Sequence, residues 1–257
     1  MSFLNRMLAS IGIGNAKVDT RLAASKLTPG DQVEGTVFIQ GGNVEQQVDS
    51  IYLHLLTQYI RESNDHKVTE TAAIGKFKVA QRFTLMPNET KEIPFTFLLP
   101  LDTPVTIGRT PVWIRTGLDI ESAVDPTDDD YVEILPHPYL LTVLEAADQL
   151  GFTLRKTTNE YNRRYGNLPF VQEFEFYPGG AYRGRLDEIE MVFFLSSHGV
   201  EVLLEVDRRA RGLSSLFEEA FDLDERKQKV YFSKEELAQG PAAVGRKLEE
   251  IIRYHAH

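Results

Sequence analysis

The chain has 257 residues, of which 42% are hydrophobic and 26% charged, and its formal net charge is −10. This length accommodates one large domain or two of roughly 125 residues each, and the composition excludes a globally disordered chain. The acidic balance disfavours nucleic-acid binding, which needs a basic face. The absence of cysteine excludes disulfides, thiol nucleophiles and cysteine-ligated zinc.

The N-terminal residues predict a short amphipathic helix that ends near Gly12. Its apolar residues follow helical spacing but are interrupted too often for a signal peptide: Phe3, Leu4, Met7, Leu8 and Ile11. Because Arg6 is its only charged side chain, we expect it to dock on its own chain rather than on a membrane. Contact with a partner, or exchange between two copies in a homodimer, is the alternative. No stretch approaches the roughly 18 apolar residues of a membrane span, and we expect a cytoplasmic protein.

The chain from residue 17 to residue 134 has the alternation of β-strands. Turn signals separate strands predicted near residues 17–22, 33–40, 48–60, 67–85, 91–98, 111–119 and 131–135. Many short strands with regular turns are typical of a sandwich rather than of an α/β sheet.

Two turn-and-strand motifs stand out in this region. Pro29-Gly30 suits the centre of a type II turn, because proline presets φ and glycine accepts a positive φ. Pro87-Asn88-Glu89 forms the second turn. Alternation places one set of residues on a single face of each following strand: Val33, Gly35, Val37 and Ile39 in the first, and Ile93, Phe95 and Phe97 in the second.

Pro136-His137-Pro138 interrupts the strand pattern, and helical spacing follows over residues 140–150. We therefore predict two domains, 1–136 and 137–257, joined by a linker helix. The second domain has predicted strands at 152–157, 170–177, 187–195, 200–207 and 229–232. A first helix is predicted at 213–222 and a last one over 241–254. Between them, a capping box formed by Ser233 and Glu236 predicts the start of a short helix.

Five further segments, taken in order with the two turn-and-strand motifs, narrow the choice of protein family: residues 1–14, 41–46, 101–120, 169–176 and 206–213. In combination they resemble the bacterial sporulation-control family of arrestin-like proteins, the stage-zero M proteins of bacilli. The resemblance implies an all-β fold of two arrestin-like β-sandwich domains with a short N-terminal helix, a linker helix and C-terminal helices. It also implies a cytoplasmic, non-enzymatic regulatory adaptor that contacts other proteins and uses no cofactor.

The strongest basic cluster contains Arg208, Arg209 and Arg211. Three guanidinium groups within four residues suit planar contacts to carboxylate or phosphate, so this cluster is our candidate for partner binding. Ion pairs with acidic residues that follow in the sequence, such as Glu218 and Glu219, are the simpler alternative.

The densest acidic run contains Asp125, Asp128, Asp129 and Asp130. We interpret it as an acidic turn before a strand at 131–135, with a polar contact to the other domain as the functional hypothesis. A Ca²⁺ site is a weaker alternative, because the run lacks the spacing and the glycine of an EF-hand loop.

No motif of catalysis is present: the chain has no nucleophile elbow, no His-Glu-x-x-His and no P-loop, and its histidines are scattered. A carbohydrate- or lipid-binding sandwich without catalytic activity is the rival interpretation, and it would need exposed aromatic residues. The aromatic residues at strand spacing are instead predicted to be structural: Phe95, Phe97, Trp113, Phe174 and Phe176.

Overall fold

The computed structural model describes residues 16–63, 66–108, 110–120, 125–208 and 227–256. Within these ranges the chain is mostly β-strand, as predicted. It divides into a first unit of residues 1–58, 71–106 and 111–135 and a second unit of residues 59–70, 107–110 and 136–257. The predicted single boundary at residue 136 places residues 59–70 and 107–110 in the first domain, whereas in the structure they belong to the second unit. The predicted helices at the N-terminus and at 213–222 lie outside the described residues.

The first unit is a sandwich of two sheets. The smaller sheet has the order β1-β3-β7, with β1 at Lys17–Leu22, β3 at Gln32–Gln40 and β7 at Thr90–Leu98. The larger sheet contains β4 (Gln46–Ser63), β8 (Val112–Ile120), β9 (Thr127–Ile134) and β2 (Lys26–Leu27) in that order. Two further strands, β5 (His66–Ala80) and β6 (Phe83–Leu85), also pair with β4. Both β4 and β5 continue into the second unit.

Both predicted turns form. Gly30 has a φ of +94°, and the Asp31 N–H donates to the Thr28 carbonyl at 2.9 Å, as a type II turn requires. In the second turn Asn88 takes the left-handed conformation with a φ of +57°, which asparagine tolerates better than most residues.

Each turn is bonded to the end of the opposite strand. The Gly30 N–H donates to the Leu99 carbonyl just beyond β7, at 2.9 Å. The Gly41 N–H, just beyond β3, donates to the Glu89 carbonyl at 2.7 Å. Since β3 and β7 also pair along their full length, their register is fixed at both ends. We call the two turns and this strand pair the clasp.

The inward face of the clasp matches the predicted pattern: Val33, Val37, Ile39, Phe95 and Phe97 are buried. Gly35 lies directly opposite Phe95, and a Cβ atom built on it would lie 2.6 Å from the Phe95 Cζ and 2.6 Å from the Arg21 carbonyl oxygen. The Phe97 ring stacks on the Phe77 ring of β5 with centroids 4.0 Å apart. Glycine at position 35 is therefore what allows the Phe95 ring to lie against β3.

The second unit is a sheet covered by helices. Its strands are β10 (Phe152–Tyr161), β11 (Phe170–Pro178), β12 (Leu186–Ser196), β13 (Gly199–Arg208) and β14 (Lys227–Ser233), in the spatial order β14-β13-β12-β11-β10. Its helices are α1 (Pro138–Gln149), α2 (Lys234–Leu237) and α3 (Pro241–Ala256), with a 3-10 turn at Gly180–Tyr182. The end of β4 joins β10, with Ile60 opposite Glu160.

Helices α1 and α3 pack together through apolar residues that are buried in both: Leu140, Val143, Ala146 and Ala147 in α1, and Val244, Leu248 and Ile252 in α3. The predicted capping box begins α2, with the Glu236 N–H donating to the Ser233 Oγ at 3.2 Å. None of the helices in the described ranges is long and apolar enough to cross a bilayer.

Candidate functional site

The predicted acidic run is mostly strand rather than turn. Asp128, Asp129 and Asp130 lie within β9, and only Asp125 precedes it, accepting a hydrogen bond from the Ile120 N–H at 3.0 Å. The interpretation of Asp128, Asp129 and Asp130 as part of a turn was wrong, although aspartate has a low β-propensity. Pairing of β9 with β8 overrides that local preference.

Asp129 points outward from the first unit. Its two carboxylate oxygens accept hydrogen bonds from the Arg115 Nε and Nη2 at 2.7 and 2.6 Å, in the fork geometry that guanidinium and carboxylate share. This hydrogen bonding holds the pKa of Asp129 below its ordinary value. The Arg115 charge is therefore engaged on the outer face of the larger sheet.

Asp128 and Asp130 lie on the side of β9 that carries the buried residues Val132 and Ile134. The Asp128 carboxylate accepts a hydrogen bond from the Thr20 N–H of β1 at 2.6 Å, so it links the two sheets of the first unit. Beside it, the hydroxyl groups of Thr20 and Thr116 are 2.6 Å apart. The acidic run thus contributes to the seam between the sheets.

Asp130 titrates abnormally at this seam. Burial, followed by the charges of Asp128 and Asp19, raises its pKa to about 6. A hydrogen bond between the two carboxyl groups adds to the shift, because a protonated Asp130 can donate to an ionised Asp128. On β1, the Asp19 carboxylate accepts a hydrogen bond from the Arg21 Nε at 3.0 Å.

We expect Asp130→Asn to stabilise the protein by about 1 kcal/mol at pH 8 and to have little effect at pH 4. The folded-state pKa of Asp130 lies above its ordinary value, so its protonation contributes stability at low pH that is lost as pH rises through about 6. Asparagine keeps the shape without the charge, and the magnitude is discounted because the side chain is partly exposed. Urea unfolding at both pH values measures the difference.

The neighbouring change Asp129→Asn provides a control of opposite sign. It removes the Arg115 bridge, and because the pKa of Asp129 is lowered, the stability that it contributes is present at neutral pH and lost on acidification. Equal effects of the two substitutions, or an Asp130→Asn effect independent of pH, would contradict the assignment.

The predicted arginine cluster is only partly described. Arg208 is the last residue of β13, opposite Leu186, while Arg209 and Arg211 lie outside the described residues. Partner binding by these arginines stays a prediction. The interdomain contact suggested for the acidic run also stays a prediction, and the hydrogen bonds described above for these aspartates join residues of the first unit.

Sequence reasoning missed a row of carboxylates across the second unit. Glu175, Glu190 and Glu205 lie directly opposite one another on β11, β12 and β13. Lys156 and Lys227 occupy the two ends of this carboxylate row. The sequence shows a Glu-x-Glu pattern in two strands, but such a pattern by itself predicts only the polar face of each strand.

Like charges directly opposite one another destabilise a sheet, and the middle of the row shows this. Burial and the surrounding carboxylates, first Glu173 and then Glu205, raise the pKa of Glu190 to about 7. Lys227 neutralises only the outer member, with its Nζ 2.9 Å from the Glu205 carboxylate. The sheet therefore favours a protonated Glu190.

Glu175, Glu188 and Glu190 offer oxygen atoms within 4.8 Å of one another, a spacing that a divalent cation could span. The Arg155 Nη1 lies 3.6 Å from Glu175 and 3.3 Å from Glu188. Positive charge from the protein itself thus already lies between two of the three carboxylates.

The strand β14 ends the sheet of the second unit, and among the described residues no strand pairs with its outer edge. The Lys247 Nζ donates to the Tyr231 carbonyl at 2.7 Å, so that carbonyl points away from β13. Because the direction of backbone groups alternates along a strand, the N–H and carbonyl of Lys229 point the same way. This edge offers main-chain groups for pairing.

The aromatic residues at strand spacing are buried, as predicted: Phe95, Phe97, Trp113, Phe174 and Phe176 are each less than 10% exposed. They contribute to packing, with Phe174 for example in edge contact with Phe193 at 5.0 Å between centroids. A carbohydrate-binding platform built from these rings would need them on the surface.

Comparison with known proteins decides the family. The family model described as SpoOM protein matches residues 4–210, which is most of the chain. The chain belongs to the Spo0M family. It is 43% identical over the full length of both chains to the sporulation-control protein spo0M of Bacillus subtilis (strain 168). The crystal structure of Spo0M from Bacillus subtilis matches with a TM-score of 0.83 at 39% identity, covering 94% of this chain and 99% of that chain. The resemblance predicted from the sequence motifs is confirmed.

Proposed function

We propose that this protein is a non-enzymatic regulator of sporulation that acts in the cytoplasm by binding other proteins. The observation that carries the proposal is the full-length similarity to a protein named for sporulation control. No cofactor is part of the proposal. The side chains in the acidic run support a structural use of these groups, since Asp128 and Asp129 are engaged in hydrogen bonds within the fold.

Strand addition at β14 is the binding mode that we propose. An extended segment of a partner gains main-chain hydrogen bonds when it pairs with an open sheet edge. The outward N–H and carbonyl of Lys229 supply such groups, while Lys247 covers the neighbouring carbonyl of Tyr231. Arg208, Arg209 and Arg211, at and just beyond the end of β13, are the proposed contacts to acidic or phosphorylated residues of the partner.

Affinity capture from the native host tests this function. We expect the wild type to retain specific proteins, and Lys229→Pro to retain them less, because proline removes the outward N–H without removing a bond to β13. Lys229→Ala is the matched control, since it removes the side chain and keeps the N–H. Circular dichroism verifies that both variants fold.

The double change Arg208→Ala/Arg209→Ala separates the arginines from the edge. Reduced capture with an unchanged unfolding temperature supports a direct contact, whereas a lowered unfolding temperature alone indicates ion pairs within the fold. The adaptor function is contradicted if the wild type captures no specific protein.

A further inference from the structure

A basic patch on the outer face of the larger sheet of the first unit is not explained by the features described so far. Tyr52 lies on this face of β4, and two exposed lysines of β5 lie over its ring. The Lys76 Nζ is 3.9 Å and the Lys78 Nζ 5.8 Å from the ring centroid, both within the range of cation–π attraction. The ring thus holds two ammonium groups in one place.

The positive charge of these lysines is not neutralised within the described part of the chain, where neither takes part in an ion pair. On this face Asp129 is held by Arg115 and Glu133 by Lys26, while Asp119 lies beside Ser50 with its Oδ2 3.5 Å from the hydroxyl. On a chain with a net charge of −10, this is a local excess of cations.

The positive charges on this face also act on His54. It lies directly opposite Arg115 on the same face. Burial, followed by the charges of Lys76 and Arg115, lowers its pKa from the ordinary value. The contributions of Lys76 and Arg115 disfavour a further positive charge at this position.

The face also has room for a ligand. Gly117 lies directly opposite Tyr52, and a Cβ atom built on it would meet nothing within 4 Å. The space beside the tyrosine ring is thus open along the cross-strand direction, between the lysines of β5 on one side and β8 on the other.

We infer that this face, formed by Tyr52, Lys76, Lys78 and Gly117 and called the Tyr52 face, binds an acidic segment of a partner protein. Carboxylates at alternate positions of an extended segment would meet the ammonium groups on the ring and the open space at Gly117. This inference rests on the proposed function, because it names a surface and a partner chemistry for the same adaptor.

An acidic segment fits better than a long polyanion. At physiological salt, charges act over roughly 8 Å, so the patch attracts a short acidic stretch placed directly on it. A nucleic acid or an anionic membrane would extend beyond the patch and face the rest of a chain whose net charge is −10.

Fluorescence anisotropy with a labelled peptide of alternating glutamate and alanine, about twelve residues long, tests the inference. We expect binding by the wild type that weakens when salt is raised from about 50 to about 300 mM. Lys76→Gln/Lys78→Gln should weaken binding about fivefold, as the loss of two exposed charge contacts predicts. Gly117→Asp should weaken it similarly, because it places a carboxylate in the open space.

The matched control is Lys17→Gln/Lys67→Gln, which removes the same charge from two exposed strand lysines and should bind within about twofold of the wild type. Thermal unfolding verifies the fold of each variant. Equal binding by the wild type and Lys76→Gln/Lys78→Gln overturns the inference, as does the absence of peptide binding. Tighter binding of single-stranded DNA or of phosphatidylserine vesicles than of the peptide overturns it in favour of those ligands.

The host capture experiment separates this inference from the proposed function. If Lys76→Gln/Lys78→Gln captures the same host proteins as the wild type, the adaptor function stands and the Tyr52 face is not its docking surface. If the wild type captures no host protein, the adaptor function fails. Binding of acidic peptide to the Tyr52 face is then decided by the anisotropy experiment alone.

Discussion

The variant Gly35→Val is expected to unfold about 3 kcal/mol more easily than the wild type, although valine is the better residue for a strand. Valine would complete the alternation of apolar residues from Val33 to Ile39. The Cβ atom that it adds, however, would lie 2.6 Å from both the Phe95 ring and the Arg21 carbonyl. Because the carbonyl belongs to the backbone of β1, it cannot rotate away as a side chain could.

Urea unfolding at pH 7 measures this effect, with Thr36→Val as the control. Thr36 neighbours Gly35 on β3 but lies on the opposite face, so the substitution adds β-propensity without entering the contact with Phe95. We expect the control to stay within about 0.5 kcal/mol of the wild type. A Gly35→Val variant as stable as the wild type would show that the β1 backbone and the Phe95 ring can move away from β3 without loss of stability.

The variant Glu190→Gln is expected to be about 1.5 kcal/mol more stable than the wild type at pH 8 and equally stable at pH 4. The folded-state pKa of Glu190 lies above its ordinary value, so its protonation contributes stability at low pH that is lost as pH rises through about 7. The shift alone would correspond to roughly 3 kcal/mol, and we halve it because the side chain is partly exposed.

The carboxylates around Glu190 are Glu173 and Glu175 on β11, Glu205 on β13 and Glu188 on its own strand. Arg155 of β10 pairs with Glu188, and Lys227 of β14 pairs with Glu205. Burial also raises the pKa of Glu173 and of Glu188, so the wild type and the variant share these titrations. The difference between their stability curves, measured by urea unfolding from pH 4 to 8, isolates Glu190.

Glu92→Gln is the control for the removal of one negative charge from an exposed strand position of β7. As an exposed substitution it should stay within about 0.5 kcal/mol of the wild type. If the curves of the wild type and Glu190→Gln run parallel, Glu190 is not the titrating group of the carboxylate row.

The elements that local sequence encodes were predictable. The turn at Pro29-Gly30 needs a positive φ at one position, and glycine there predicts both the turn and the start of β3. The capping box of Ser233 and Glu236 likewise located the beginning of α2, because its hydrogen bonds span only three residues.

The candidate sites depend on register, which local patterns do not contain. Glu175, Glu190 and Glu205 form a row only because three strands pair without an offset at these positions. For Asp130 the local pattern predicted the wrong element. Four aspartates in six residues predict a turn, but the pairing of β9 with β8 places this carboxyl group at the seam between two sheets.

The clasp determines where the first unit can change in length. Its hydrogen bonds hold the end of β3 against the turn that precedes β7, so the intervening chain, which contains β4, β5 and β6, is a closed excursion with both ends anchored. The entropy of closing such an excursion grows only with the logarithm of its length, so several residues added within it would weaken the clasp itself by only a few tenths of a kcal/mol. The clasp therefore sets the register of β3 and β7 independently of the number of residues between its two turns, whereas the length of β4 itself is tied to its pairing with β8 and β10.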